Sequence, residues 1–302
     1  MQRWLQVMAL LWLAAVGSAQ AQPADESRQI SLLTFAPGEL YWQRFGHNAL
    51  LVQDSATGQE LVYNYGIFNF EQENFFLNFA RGKMQYQLAA DSLQRTLALY
   101  AYEGRWVYAQ RLNLDAAQRR SLADFLAWNA RPENAEYRYD YFRANCSTRV
   151  RDALDQALGG ALRKQLEARI EPASYRFDAT RLITPIPALM AGMDFIMGPA
   201  GDPPETLWQR SFVPEVLMRA VRETRIGNAP LVQAEGFLLT NAQSPAIPQR
   251  PLSLLPFTLS VGLLLGLALP LLASRRQQAW ARWSQASLSA LWCLLCGLAG
   301  VI

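Results

Sequence analysis

Two side chains suited to nucleophilic and proton-transfer chemistry are unusually isolated in this sequence. The stretch YWQRFGHNALLV (41–52) holds the only histidine, His47. Imidazole is the side chain that titrates nearest neutrality and is the usual proton shuttle. Of the three cysteines, Cys293 and Cys296 form a C-x-x-C in an apolar run, where packing is the ordinary role. Cys146 is left alone in the body of the chain. A base that takes a thiol proton makes the thiolate, which attacks carbonyl carbon, and a third group must orient the base. Asn64 is the chemical choice for that group, although strand alternation leaves its direction open, and Asp140 is a second candidate. Tyr63, Tyr65 and Arg149 are the candidate binding residues. The alternative is structural: a strand histidine and an inert buried thiol. One histidine and scattered carboxylates offer no recognisable metal-ligand set, so no metal or cofactor is expected.

The elements that must position the pair are legible. RQISLLTFAPG (28–38) reads as a strand and turn. HNALLVQD (47–54) and ELVYNYGIF (60–68), joined by SATGQ, read as a β-hairpin that starts at His47. EQENFFLNFARG (71–82) reads as a short helix, KMQYQLAAD (83–91) as a strand, LQRTLALYAYEG (93–104) as a helix and RWVYAQRLNL (105–114) as a strand. Asp115 is an N-cap candidate for a helix that ends before Pro132, and EYRYDYFRA (136–144) is strand-like. NCSTRVRDALDQALGG (145–160) reads as a helix capped by Asn145 and stopped by paired glycines. Cys146 then falls in its first turn, where free N–H groups and the helix dipole favour a thiolate and can hold an oxyanion. Arg149 is expected either to strengthen that field or to pair with Asp152. Strands and helices mixed without regular alternation predict an α+β class. ITPIPALMAGMDFIMGP (183–199) is apolar but broken, fit to line a groove, cover a core or touch a membrane surface. FVPEVLMRAVRE (212–223) reads as a helix with Pro214 in its first turn.

The chain ends speak to location. Residues 1–21 carry Arg3, an apolar run and an Ala-Gln-Ala site, the pattern of a signal peptide. Residues 252–273 contain no charge, enough to span a bilayer core. A basic loop with Arg275, Arg276, Arg282, Trp280 and Trp283 (274–285) should face the cytoplasm. A second span is expected at 286–302, and its bare apolar end predicts that the natural chain continues. The body therefore lies outside the inner membrane, divided into a domain at 22–165 and a helical or irregular extension at 166–250. A net charge of +3 without a basic cluster gives no nucleic-acid signature.

FGHNALLV, VYNYGIFNF, YDYFRANCSTRVRDAL and MGPAGDPPETLWQRSFVPEVL, in that order, resemble the Lnb N-terminal periplasmic domain family over roughly residues 30–225. The resemblance implies a circularly permuted papain-like (NlpC/P60-like) fold with an antiparallel sheet and helices, followed by transmembrane helices. The lecithin:retinol acyltransferase group, which also carries a histidine strand before a cysteine helix, is a related permuted case. The resemblance makes Cys146 the nucleophile and His47 the base. The namesake is a lipoprotein N-acyltransferase, so the implied partners are the membrane, a phospholipid acyl donor and a lipoprotein acceptor. Two other functions fit the residues: a Cys/His cell-wall peptidase or amidase, and a non-catalytic periplasmic sensor or assembly module.

Overall fold

The structure is a computed structural model, and it describes residues 27–68, 84–241, 244–275 and 277–299. The expected signal peptide and the helix at 71–82 lie outside the described residues.

The chain divides into two compact units. The first comprises the described residues up to Gly38, then Gly46–Arg169 and Thr206–Pro245. It is built on a seven-stranded sheet. The strands are β1 (Arg28–Phe35), β2 (His47–Asp54), β3 (Gln59–Phe68), β4 (Gln85–Ser92), β5 (Val107–Leu112), β6 (Glu136–Arg138) and β7 (Val232–Leu239). Their order is β7-β5-β1-β2-β3-β4-β6, and every pairing is antiparallel. The mixed α/β architecture with an antiparallel sheet agrees with the sequence expectation.

Alternation along the strands separates two faces. Leu33, Phe35, Ala49, Leu51, Val62 and Val107 form one buried cluster with Leu93 and Tyr100 of helix α1 (Leu93–Tyr102). The other face carries Leu32, paired with Leu50, and Leu50, paired with Tyr63. Helices α2 (Ala116–Asn129) and α3 (Cys146–Ala157) pack on each other and reach this sheet. Asp115 and Asn145 both close capping boxes, which fixes where α2 and α3 begin. Helix α4 (Ala161–Glu167) follows α3.

Two expectations shift here. The strand-like run 136–144 is a strand only over Glu136–Arg138, because Asp140 and Ala144 pair with each other and fold the chain into a turn. The stretch 206–245, expected within an irregular extension, packs with the sheet unit and supplies β7.

The second unit comprises Glu39–Phe45, Ile170–Glu205 and the residues from Ala246 onward. It holds α5 (Tyr175–Ile183) and α6 (Pro187–Ile196). Helix α7 (Pro214–Glu223) belongs to the first unit. The second unit ends in α8 (Leu255–Ser274) and α9 (Ala279–Ala299). Among the described residues, α8 alone is long and apolar enough to cross a membrane, with a mean hydropathy of 2.1 and none of it buried. The expected second span is different in detail: α9 begins at Ala279, so Trp280, Arg282 and Trp283 are helical rather than loop.

Candidate active site

His47 opens β2, and Gly46 before it has φ +75. An added Cβ there would lie 2.8 Å from the Phe35 carbonyl oxygen, so the Phe-Gly-His turn has room only for glycine. The half-buried His47 ring lies beside Phe35, with centroids 5.5 Å apart. Its Nε2 is 3.2 Å from Asn64 Oδ1. The Asn64 amide nitrogen donates to the Val62 carbonyl, at 3.3 Å, which turns the amide oxygen toward the ring. That oxygen only accepts, so Nε2 carries the ring proton and Nδ1 is left as the basic nitrogen. The direction of Asn64, open in the sequence, is thereby fixed on the His47 face.

Cys146 is reached from the other side of the chain. Its helix start is anchored by the Asn145 side chain, whose Oδ1 accepts from the Ser147 and Thr148 N–H groups at 2.9 Å each. Asn145 Nδ2 donates to the Tyr141 and Phe212 carbonyls. Gly66, near the end of β3 with φ +85, brings its backbone against the cysteine: a Cβ there would be 3.4 Å from Cys146 Cβ. The backbone N–H of Asn48, the residue after His47, bonds the Cys146 sulfur. In the next positions along, Ser147 Oγ donates to Asn48 Oδ1. The histidine strand and the cysteine helix therefore meet through Asn48, and both His47 and Cys146 are half-buried.

The electrostatics run against a preformed ion pair. Burial pushes the Cys146 thiol up, outweighing the N–H groups of Asn48, Ser147 and Cys146 and the charge of Arg105. This reverses the sequence expectation of a lowered thiol pKa, since desolvation exceeds the helix-terminus effect. Burial, and then Arg105, holds His47 down at about 4, against the Asn64 bond. At neutral pH the two side chains therefore rest as a thiol and a neutral imidazole rather than as an ion pair.

Arg105 is the residue that sequence reasoning missed. It is buried, donates from Nε to the Ala36 carbonyl at 2.7 Å and pairs with Glu103. Its guanidinium lies 4.5 Å over the Tyr100 ring, and Tyr100 stacks on Phe35 at 4.1 Å. No spacing signal links position 105 to 47; only the β5–β1 pairing does.

The remaining candidates are placed as follows. Tyr63 and Tyr65 are buried on the face opposite Asn64, and the Tyr65 hydroxyl donates to Asn129 at 2.8 Å. Arg149 lies over the rings of Tyr137 and Tyr65, at 4.8 and 5.5 Å. It is Arg151, not Arg149, that pairs with Asp152. Asp140 accepts from the Phe142 and Arg143 N–H groups within its own turn. Among the described residues no three His, Cys, Asp or Glu side chains converge as a metal site.

A family model of the Lnb N-terminal periplasmic domain matches residues 18–184, more than half the chain. The chain belongs to this family. Both β2 with His47 and α3 with Cys146 lie inside the matched Lnb residues. Comparison with curated proteins and with solved structures gives no match. An Lnb periplasmic domain with one long apolar helix toward the C-terminus is consistent with a membrane-anchored periplasmic protein.

Proposed function

We propose that the chain is a membrane-tethered periplasmic thiol acyltransferase with a circularly permuted papain-like catalytic unit. The observation that carries this reading is the Nε2–Asn64 bond, which leaves His47 Nδ1 as the base, together with the Asn48 N–H on the Cys146 sulfur. A Cys–His–Asn set is the pattern of papain-like thiol enzymes.

In the proposed reaction Cys146 Sγ attacks the ester carbonyl of a phospholipid acyl chain while His47 Nδ1 takes the thiol proton. The Cys146 backbone N–H holds the oxyanion. The tetrahedral intermediate collapses, the C–O ester bond breaks, and His47 returns its proton to the departing lysophospholipid oxygen. An acyl thioester remains. The N-terminal amine of a lipoprotein then attacks it, His47 takes the amine proton, the C–S bond breaks and the thiol is restored. Burial holds the hydroxyls of Tyr137, Tyr139 and Tyr141 well above the usual phenol range, as it also raises the Cys146 thiol, so these groups are withdrawn from bulk water. A dry site favours aminolysis of the thioester over hydrolysis. Tethering keeps the enzyme in the same bilayer as both substrates and raises their effective concentration.

The test is intact mass after incubation of the purified protein with phospholipid. An acyl-sized, hydroxylamine-labile adduct, absent from Cys146→Ala, is the expected result. Cleavage of a wall peptide without an adduct would mean a peptidase or amidase instead. Neither, in a Cys146→Ala chain that still complements a deletion, would mean a non-catalytic module.

A further inference from the structure

Helix α6 shows an uncharged, apolar face to its surroundings. Its one charged residue, Asp194, lies on the side toward α5, where it is half-exposed and Arg176 binds both its carboxylate and its carbonyl. Met190, also on that side, is buried. The outward residues are Ala188, Leu189, Phe195 and Ile196, with Phe195 63% and Ile196 65% exposed. An ordinary surface helix buries its apolar stripe and shows its charge to water.

The same helix pair is pinned to the start of the long apolar helix. The Leu252 N–H donates to Thr184 Oγ1 at 3.1 Å, three residues before α8 begins. Arg181, ion-paired to the buried Asp178, donates to the Pro248 carbonyl at 2.8 Å. Met190, Thr180, Leu252 and Leu254 line a shared cavity of about 270 Å³. A ten-residue helix is about 15 Å long. Its exposed face therefore stays close to the point where α8 would enter the bilayer.

We propose that α6 lies in the membrane interface, with Leu189, Phe195 and Ile196 set among the phospholipid acyl chains of the periplasmic leaflet beside α8. The helix would be an interfacial anchor of the type that buries one apolar face at the headgroup–acyl boundary. The placement rests on α8 crossing the membrane, as the proposed function requires. It gives the unit a lipid-contacting surface in addition to its span.

The test uses the full chain in vesicles of phosphatidylethanolamine and phosphatidylglycerol. Photo-crosslinking benzoyl-phenylalanine is placed singly at Phe195, at Phe257 inside α8, or at the exposed Lys164 of α4. Expected are phospholipid adducts by mass at 195 and 257, and none at 164. Adducts at 257 without any at 195 would overturn the proposal and leave the span standing. Absence at both would overturn the span and the proposal together. Equal labelling at 164 and 195 would also overturn it, because contact would then not be particular to α6.

Discussion

Ser147 Oγ donates to Asn48 Oδ1 at 2.8 Å, joining residues 99 positions apart. Each follows one member of the Cys146–His47 pair, so the bond aligns the helix that carries sulfur with the strand that carries imidazole. The hydroxyl also lies 2.6 Å from the Ser211 carbonyl, and its single proton is shared between two buried acceptors. Ser147→Ala leaves both acceptors short and is expected to cost about 1–3 kcal/mol. Urea unfolding measures the loss. A double-mutant cycle with Asn48→Ala should show coupling, and additivity would mean the bond contributes nothing.

Asn64→Ala frees the His47 ring while the fold keeps its core. Under the proposed function, acyl transfer is expected to fall by about 10²-fold or more, the scale of a misplaced general base. Asn64→Asp puts a carboxylate beside the ring, stabilises imidazolium and moves the acid limb of the pH–rate profile up from about 4. A profile unchanged by either substitution would remove Asn64 from the site.

Arg105 lowers both the thiol and the imidazole. Arg105→Met is therefore expected to push the Cys146 thiol still higher, and iodoacetamide labelling at pH 7 should slow. The His47 pKa should rise in the same variant. Arg105→Lys should restore much of the labelling rate, which a purely structural loss would not.

Stability should also depend on pH through His47. The folded pKa of about 4 lies below the ordinary 6.5, so the unfolded chain binds more protons between those values. The stabilisation is complete above pH 6.5, is lost as pH falls toward 4, and levels off below that. The difference in unfolding free energy between the parent chain and His47→Gln, followed over this window, should carry a slope of up to one proton.

The local signals that start the two key elements were legible in the sequence. The β-hairpin beginning at His47 and the Asn145 cap before Cys146 each follow from a few neighbouring residues. What was not legible depended on tertiary placement. Strand β7 reads Val-Gln-Ala-Glu-Gly-Phe-Leu-Leu, without clean alternation, because it is an edge strand with bulges against β5. The thiol's raised pKa depends on how deeply α3 sets its first turn against β2 and β3, which no motif encodes. Arg105 arrives beside the pair only through strand pairing.

The family match ends at residue 184, whereas the outer strand of the sheet, β7, spans Val232–Leu239. A polypeptide stopped at the end of the match would strip β5 of its neighbour and leave a row of open amide and carbonyl groups from Val107 to Leu112. Such a margin invites strand addition from a second molecule and then aggregation. The strand that covers β5 thus lies outside the matched residues, and a cut between the two would turn an inner strand into a self-templating margin.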